Sequence, residues 1–174
     1  MNSSTIIKHI VQFVLFVALQ ILLMDSLVLY GTVFCFIYVA FLLFLPITIN
    51  RVFLLFLGFI AGFAVDIFYD TMGIHAAASV LLAFLRPHVL NLITPRDGYD
   101  TNDSVNLHVM GWRWFLAYTI ILVLLHHIAV FYLEMISFEI GWHTIAKILL
   151  SALYTTLVLV IIQLLFFSVK RAKR

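Results

Sequence analysis

Residues 58–76 read GFIAGFAVDIFYDTMGIHA. Glycines stand at 58 and 62 and acids at 66 and 70, each four residues apart, so on a helix all four share one ridge. Gly58 and Gly62 form a G-x-x-x-G pattern, which lets a neighbouring backbone approach closely within lipid. Asp66 and Asp70 then follow in strongly apolar sequence, and His75 comes after a turn permitted by Gly73. Ionisable groups are costly in hydrocarbon, so the stretch predicts a helical hairpin whose polar ridge faces protein. Asp66 falls about one turn below the outer surface on this reading, and Asp70 near that surface.

The composition around the hairpin fixes the class. The chain has 174 residues, 65% hydrophobic and 10% charged, with a mean hydropathy of +1.18. Soluble domains are about 45–50% apolar and about 25% charged. Too few polar residues remain for a water-facing surface, so the sequence is that of an integral membrane protein forming a single bundle, residues 1–174. Its one cysteine, Cys35, excludes a disulfide within the chain. The only dense basic run is KRAKR at residues 170–174, so nucleic acid is not an expected partner.

Crossing the hydrocarbon core takes about 20 mostly apolar residues. Six segments qualify, at roughly 6–24, 29–49, 52–69, 73–94, 113–133 and 143–169. In the first, Lys8 precedes an apolar run as in a signal sequence, but no small-residue cleavage site follows it, so it is read as retained. With six spans, Lys8, Arg51, Arg96, Arg113, Lys170, Arg171, Lys173 and Arg174 fall on one side. Asp25, the turn from Asp70 to Gly73, Glu134 and Glu139 fall on the other. Lys and Arg concentrate in cytoplasmic loops, which predicts an all-α six-span bundle with both termini inside. Five spans sort the charges less cleanly. Lys147 is the exception, placed just inside the sixth span where it can snorkel outward.

The hairpin also carries a resemblance. Glycines, an Asp late in the span, a short turn, then Gly73-Ile74-His75-Ala76 and an apolar run to LLAFLR (81–86) resemble the rod shape-determining MreD family. The matching residues are Gly58, Gly62, Asp66, Gly73, Ile74, His75, Ala76, Ala83, Phe84 and Leu85, and the likeness is strongest over about residues 50–100. Tyr69-Asp70 departs from it, since the family more often has small residues there. The resemblance implies a non-enzymatic subunit of the bacterial inner membrane without a cofactor. It implies a scaffold or regulatory role in the cell-elongation machinery, linked to MreC, the MreB filament, and the polymerase and transpeptidase of peptidoglycan synthesis. The implied fold is similar to the substrate-binding membrane subunits of vitamin transporters, which keeps a solute-binding or transport role as the alternative.

Other residues carry two readings each. Asp66 either braces the hairpin by bonding backbone groups or His75, or belongs to a ligand, ion or proton site; the structural reading leads. An Asp pair and one histidine lack a third convincing ligand and a recognised spacing for a metal. In Arg86-Pro87-His88 the proline favours a kink or break, and Arg86 is expected to snorkel to the cytoplasmic face rather than pair inside the bundle, with 88–94 an interfacial turn. The polar stretch 94–114, with Arg96, Asp97 and Arg113, offers a cytoplasmic docking surface together with Arg86, against an ordinary solvated loop. Its Trp112 and Trp114 suit the membrane interface. His126 and His127 point to different helix faces, one expected inside the bundle and one near its edge, with a proton relay as the sharper alternative. Glu134, Glu139 and His143 near Trp142 read as an outer loop that can also receive a partner, and KRAKR as an anchor attracting anionic membrane lipid. No nucleophile elbow, phosphate-binding glycine loop or H-E-x-x-H is present.

Overall fold

A computed structural model describes residues 3–23, 26–99, 105–135 and 141–167. Asp25, Glu139 and the basic tail 170–174 lie outside the described residues. The described residues are mostly helical (75%). Helix α1 (Ser3–Leu22) leads into a small antiparallel hairpin of β1 (Val28–Leu29) and β2 (Val33–Phe34), then a short helix α2 (Val39–Leu43). The long helices α3 (Arg51–Tyr69) and α4 (Ile74–Leu92) follow. A single turn, α5 (Leu107–Met110), precedes α6 (Trp112–Glu134) and α7 (Trp142–Phe166). Helices α3 and α4 form a hairpin; α4 packs on α6, α6 on α7, and α7 against β2.

Among the described residues, three helices, α3, α6 and α7, are long and apolar enough to cross a membrane. Their free faces are what lipid or a membrane partner requires: Phe53, Phe56, Phe59 and Phe63 on α3 and Leu153, Leu157 and Ile161 on α7 are exposed. Contiguous apolar surface of this kind marks membrane or protein contact. The apolar part of α1, Ile6–Leu22, is shorter. Helix α4 is helical through Pro87, so the expected break there does not occur.

The second expected span, 29–49, is corrected. It is not a continuous helix but the β-hairpin, an extended stretch and the five residues of α2. The expected all-α bundle of six helical spans is therefore too regular a description. Tyr30 and Gly31 take positive φ at the hairpin turn, and Thr32, Val33, Phe34, Phe36, Ile37 and Tyr38 are β-branched or aromatic types that suit extended backbone. Every residue from Cys35 to Leu45 is buried. Non-helical backbone at membrane depth is tolerated only where it is buried in protein, and here α1, α4, α6 and α7 enclose it.

The neighbouring helices supply the partners that this backbone lacks. Ser151 Oγ and Thr155 Oγ1 on α7 accept from the amides of Phe34 (2.9 Å) and Phe36 (3.1 Å). Gln20 on α1 donates to the Cys35 carbonyl (3.3 Å) and accepts from the Tyr38 amide (3.4 Å). At the far end, Tyr118 on α6 donates to the Leu43 carbonyl (2.9 Å), and Arg86 on α4 donates to the carbonyls of Leu45 and Pro46. Polar residues in otherwise apolar helices are thus the hydrogen-bond partners of the irregular segment.

Candidate functional site

The α3–α4 hairpin is built around Asp66. Helix α3 starts at Asn50, whose side chain accepts from the amides of Val52 and Phe53, and ends at Asp70, which takes the left-handed conformation. Gly73 then begins α4 with φ +93° and has no side chain to cap it. Asp66 performs that task from the preceding helix. Its Oδ1 accepts from the His75 amide (2.9 Å) and the Thr71 hydroxyl (2.5 Å), and its Oδ2 accepts from the Ala76 amide (2.8 Å). These amides are the second and third of α4, the pair a capping side chain normally satisfies. The negative carboxylate also sits at the positive end of the helix dipole. Its partners are backbone amides and a hydroxyl, not the His75 ring.

The glycine ridge explains how the carboxylate reaches them. A Cβ on Gly58 would lie 2.9 Å from the Ser79 carbonyl oxygen, and one on Gly62 would lie 2.5 Å from both Ala76 N and Ala76 Cα. Real Cβ atoms do not approach backbone so closely, so α3 and α4 meet at this separation only with glycine there. Gly58, Gly62 and Asp66 are buried in the contact, whereas Asp70 is exposed at the turn. An open apolar groove of about 910 Å³ runs along the outside of the hairpin, lined by Phe59, Phe63, Asp66, Val80, Leu81 and Phe84 among others. Phe59 and Phe63 stack there with centroids 5.6 Å apart.

A second polar centre lies on the inward face of α4. Tyr38 Oη bonds to His126 Nε2 (2.7 Å) and His75 Nδ1 (3.2 Å), and accepts from Ser79 Oγ (3.2 Å). His127 bonds to Thr155 Oγ1 through Nε2 (3.1 Å) and to the Val123 carbonyl through Nδ1 (2.8 Å). The Phe36 ring packs against His75, His126 and His127, with centroids 5.1, 5.7 and 5.0 Å away. Both His126 and His127 are fully buried. This corrects the expectation that one lies near the bundle edge, because α6 is enclosed on that side by the extended segment as well as by α7. Nδ1 of His126 has no hydrogen-bond partner among the described residues. Among the described residues, no three His, Cys, Asp or Glu side chains converge as metal ligands.

Arg86 is also corrected. It neither snorkels nor offers a docking surface, because it is 0% exposed. Its Nε donates to Tyr118 Oη (2.7 Å) and its Nη atoms donate to the Leu45 and Pro46 carbonyls. The Leu45 and Pro46 carbonyls follow the C-terminus of α2, the partly negative end of a helix, which draws the guanidinium inward. Arg96, Asp97 and Arg113 are exposed, with Gly98 closing a turn onto Pro95 (3.0 Å). The second half of that polar stretch folds inward: Val105 and Leu107 are buried, and the Leu107 amide donates to Gln163 Oε1 (3.2 Å). Trp112 is exposed, but Trp114 packs against Tyr118 with centroids 5.1 Å apart and donates to the Ile93 carbonyl. Lys147 meets Glu134 at 3.1 Å and lies over the rings of Phe34 and Phe131.

No family model, curated protein or solved structure matches this chain.

The residues that sequence reasoning passed over are Gln20, Tyr38, Ser79, Tyr118, Ser151 and Thr155. Each has a hydrogen-bonding group in an apolar run, and that was the available signal. Buried polar groups in a membrane segment need partners, and here the partner is the irregular chain between α1 and α3.

Proposed function

We propose that this chain is a non-enzymatic scaffold or regulatory subunit of the bacterial cell-elongation machinery, acting in the inner membrane with MreC, MreB and the enzymes of peptidoglycan synthesis. The resemblance of residues 50–100 to the MreD family supplies the biological setting. The observation that carries the choice of scaffold over solute carrier is the state of Asp66. Both its oxygens are occupied by the N-terminal amides of α4 and by Thr71, and the groove beside it is lined mostly by apolar side chains, with Asp66 and Asp70 at its polar end. Such a surface suits the apolar side chains of a partner's membrane helix. A polar solute would find few hydrogen-bonding groups there.

In this proposal both termini are cytoplasmic, the Asp70–Gly73 turn faces outward, and the chain crosses six times, the second crossing being the irregular segment inside the bundle. Cysteine labelling tests that topology. Reagent reaching position 139 from the cytoplasm, or position 172 from outside, refutes it. Depletion followed by microscopy tests the function: rods are expected to become round.

A solute-binding or transport subunit is the second reading. The buried polar centre at Tyr38, His75 and His126, beside unwound backbone, favours it, because transporters place such features near the bilayer midplane. Normal cell shape with a new nutrient requirement on depletion would select this reading and sink the first.

A further inference from the structure

The groove outside the α3–α4 hairpin extends along α3 from Leu55 past Ile67, about 18 Å at the helical rise. Helix α3 contributes the stacked, exposed rings of Phe59 and Phe63, and α4 contributes exposed Phe84 and the small side chains of Ala76 and Ala77. Small residues between membrane helices let another backbone come close, and the length matches one side of a third helix over about three turns.

The Asp70 end of the groove differs in character. Asp66 is committed there to the α4 amides and Thr71. Asp70 is exposed and forms no ion pair with a described residue. Among the described residues, no Lys, Arg or His lines the groove, so its one outstanding charge is negative. Met72 stands beside it with φ +44° and a wholly exposed side chain. Left-handed backbone costs free energy for a residue other than glycine, and Met72 gains no burial within the chain in return. Methionine suits an apolar contact with another molecule. A second copy of the chain is a poor occupant, because a symmetric parallel pair brings two Asp70 carboxylates to one depth. Lys147, the cation at that end, is already held by Glu134 and two phenyl rings. A phospholipid seated there would set its phosphate against Asp70, and like charges repel.

We infer that this groove seats a membrane-crossing helix of a partner protein, apolar along the seated side and carrying a Lys or Arg level with Asp70. The inference deepens the scaffold reading and rests on it for the partner's biological setting.

The test places the full chain in phosphatidylcholine nanodiscs with synthetic helices of about 20 residues of Leu and Ala. Three versions differ only in carrying Lys, Gln or Glu near the end that meets Asp70. Energy transfer between dyes on peptide and protein reads binding. The Lys helix is expected to bind about fivefold more tightly than the Gln helix, and the Glu helix more weakly than both. Asp70→Asn is expected to bring the Lys and Gln helices level. Ala77→Phe fills the groove from an exposed position and is expected to weaken all three at least tenfold, in protein that gel filtration shows to be folded. Leu153→Phe, on the exposed face of α7, is expected to change nothing. Equal affinities of the Lys and Glu helices would overturn the inference, as would unchanged binding to Ala77→Phe. Dimerisation of the chain that Ala77→Phe abolishes would make the occupant a second copy and overturn it too. So would a co-purifying lipid lost in Ala77→Phe while no helix binds. Purified components keep this result separate from cell shape. Round cells on depletion with no helix bound would sink the groove assignment alone, whereas helix binding with normal shape and a nutrient requirement would sink the scaffold reading alone.

Discussion

The α3–α4 hairpin and the stretch from Val28 to Leu45 are both strongly apolar, yet they solve the same problem in opposite ways. The hairpin satisfies its backbone within two regular helices and uses one side chain, Asp66, for the amides left over at the start of α4. The other stretch leaves many backbone groups unpaired and draws partners from Gln20, Ser151, Thr155, Tyr118 and Arg86 on four different helices. Regular structure is self-sufficient in lipid; irregular structure requires a surrounding protein that carries polar groups at matching heights. The hairpin is therefore a local unit, whereas the buried segment exists only because the rest of the bundle encloses it.

Substitutions separate these two kinds of dependence. The largest effect is expected from Gly62→Leu, which forces a side chain into the space held by Ala76 backbone. The clash exceeds ordinary overpacking of about 1–3 kcal/mol, so detergent extracts should contain little monodisperse protein even where the chain inserts. A normal yield and elution profile would show that the helices do not meet as described.

Asp66 comes next, through a pair of variants. Asp66→Leu leaves the amides of His75 and Ala76 unpaired, at about 1–3 kcal/mol each, and should lower the melting temperature markedly. Asp66→Asn keeps the shape and an acceptor, so it should retain most stability and most support of cell shape. If the Asn variant fails in cells as badly as the Leu variant while protein levels stay normal, the charge itself is required, and the transport reading gains.

Thr155→Val probes the irregular segment at nearly constant volume. It removes the acceptor of the Phe36 amide and a partner of His127, for an expected loss of about 1–2 kcal/mol. Hydrogen exchange should rise at residues 34–38 and stay unchanged at 74–76. A uniform rise would mean that the two regions are not independent. The smallest effect belongs to Glu134→Gln, which removes the partner of Lys147 in a solvent-facing pair. Surface pairs of this kind contribute at most about 1 kcal/mol, so melting should shift only slightly, and less in high salt.

Much of the hairpin was legible in advance because its determinants are close in sequence. The four-residue spacing of Gly58, Gly62, Asp66 and Asp70 is a property of one helix, and Gly73 marks the turn that follows it. Arg86 was misread for the opposite reason. Its partners, Leu45, Pro46 and Tyr118, lie 32 to 41 residues away, so proximity to a proline and a loop suggested snorkelling where tertiary contact pulls the side chain inward. The expectation that one of His126 and His127 lies near the edge failed likewise, since the side of α6 facing Phe36 and Thr155 is closed by chain that sequence alone casts as a separate helix.

By itself the sequence determined that this is a membrane protein with long apolar helices and a tight glycine-lined hairpin, because those properties follow from composition and short-range periodicity. Only the tertiary structure decided that residues 29–49 are not one helix, that Tyr38 joins two histidines, and that Arg86 is buried against carbonyls. Apolar content shows that a segment leaves water. Whether it then forms its own hydrogen bonds or borrows them depends on which polar side chains distant helices bring to the same depth.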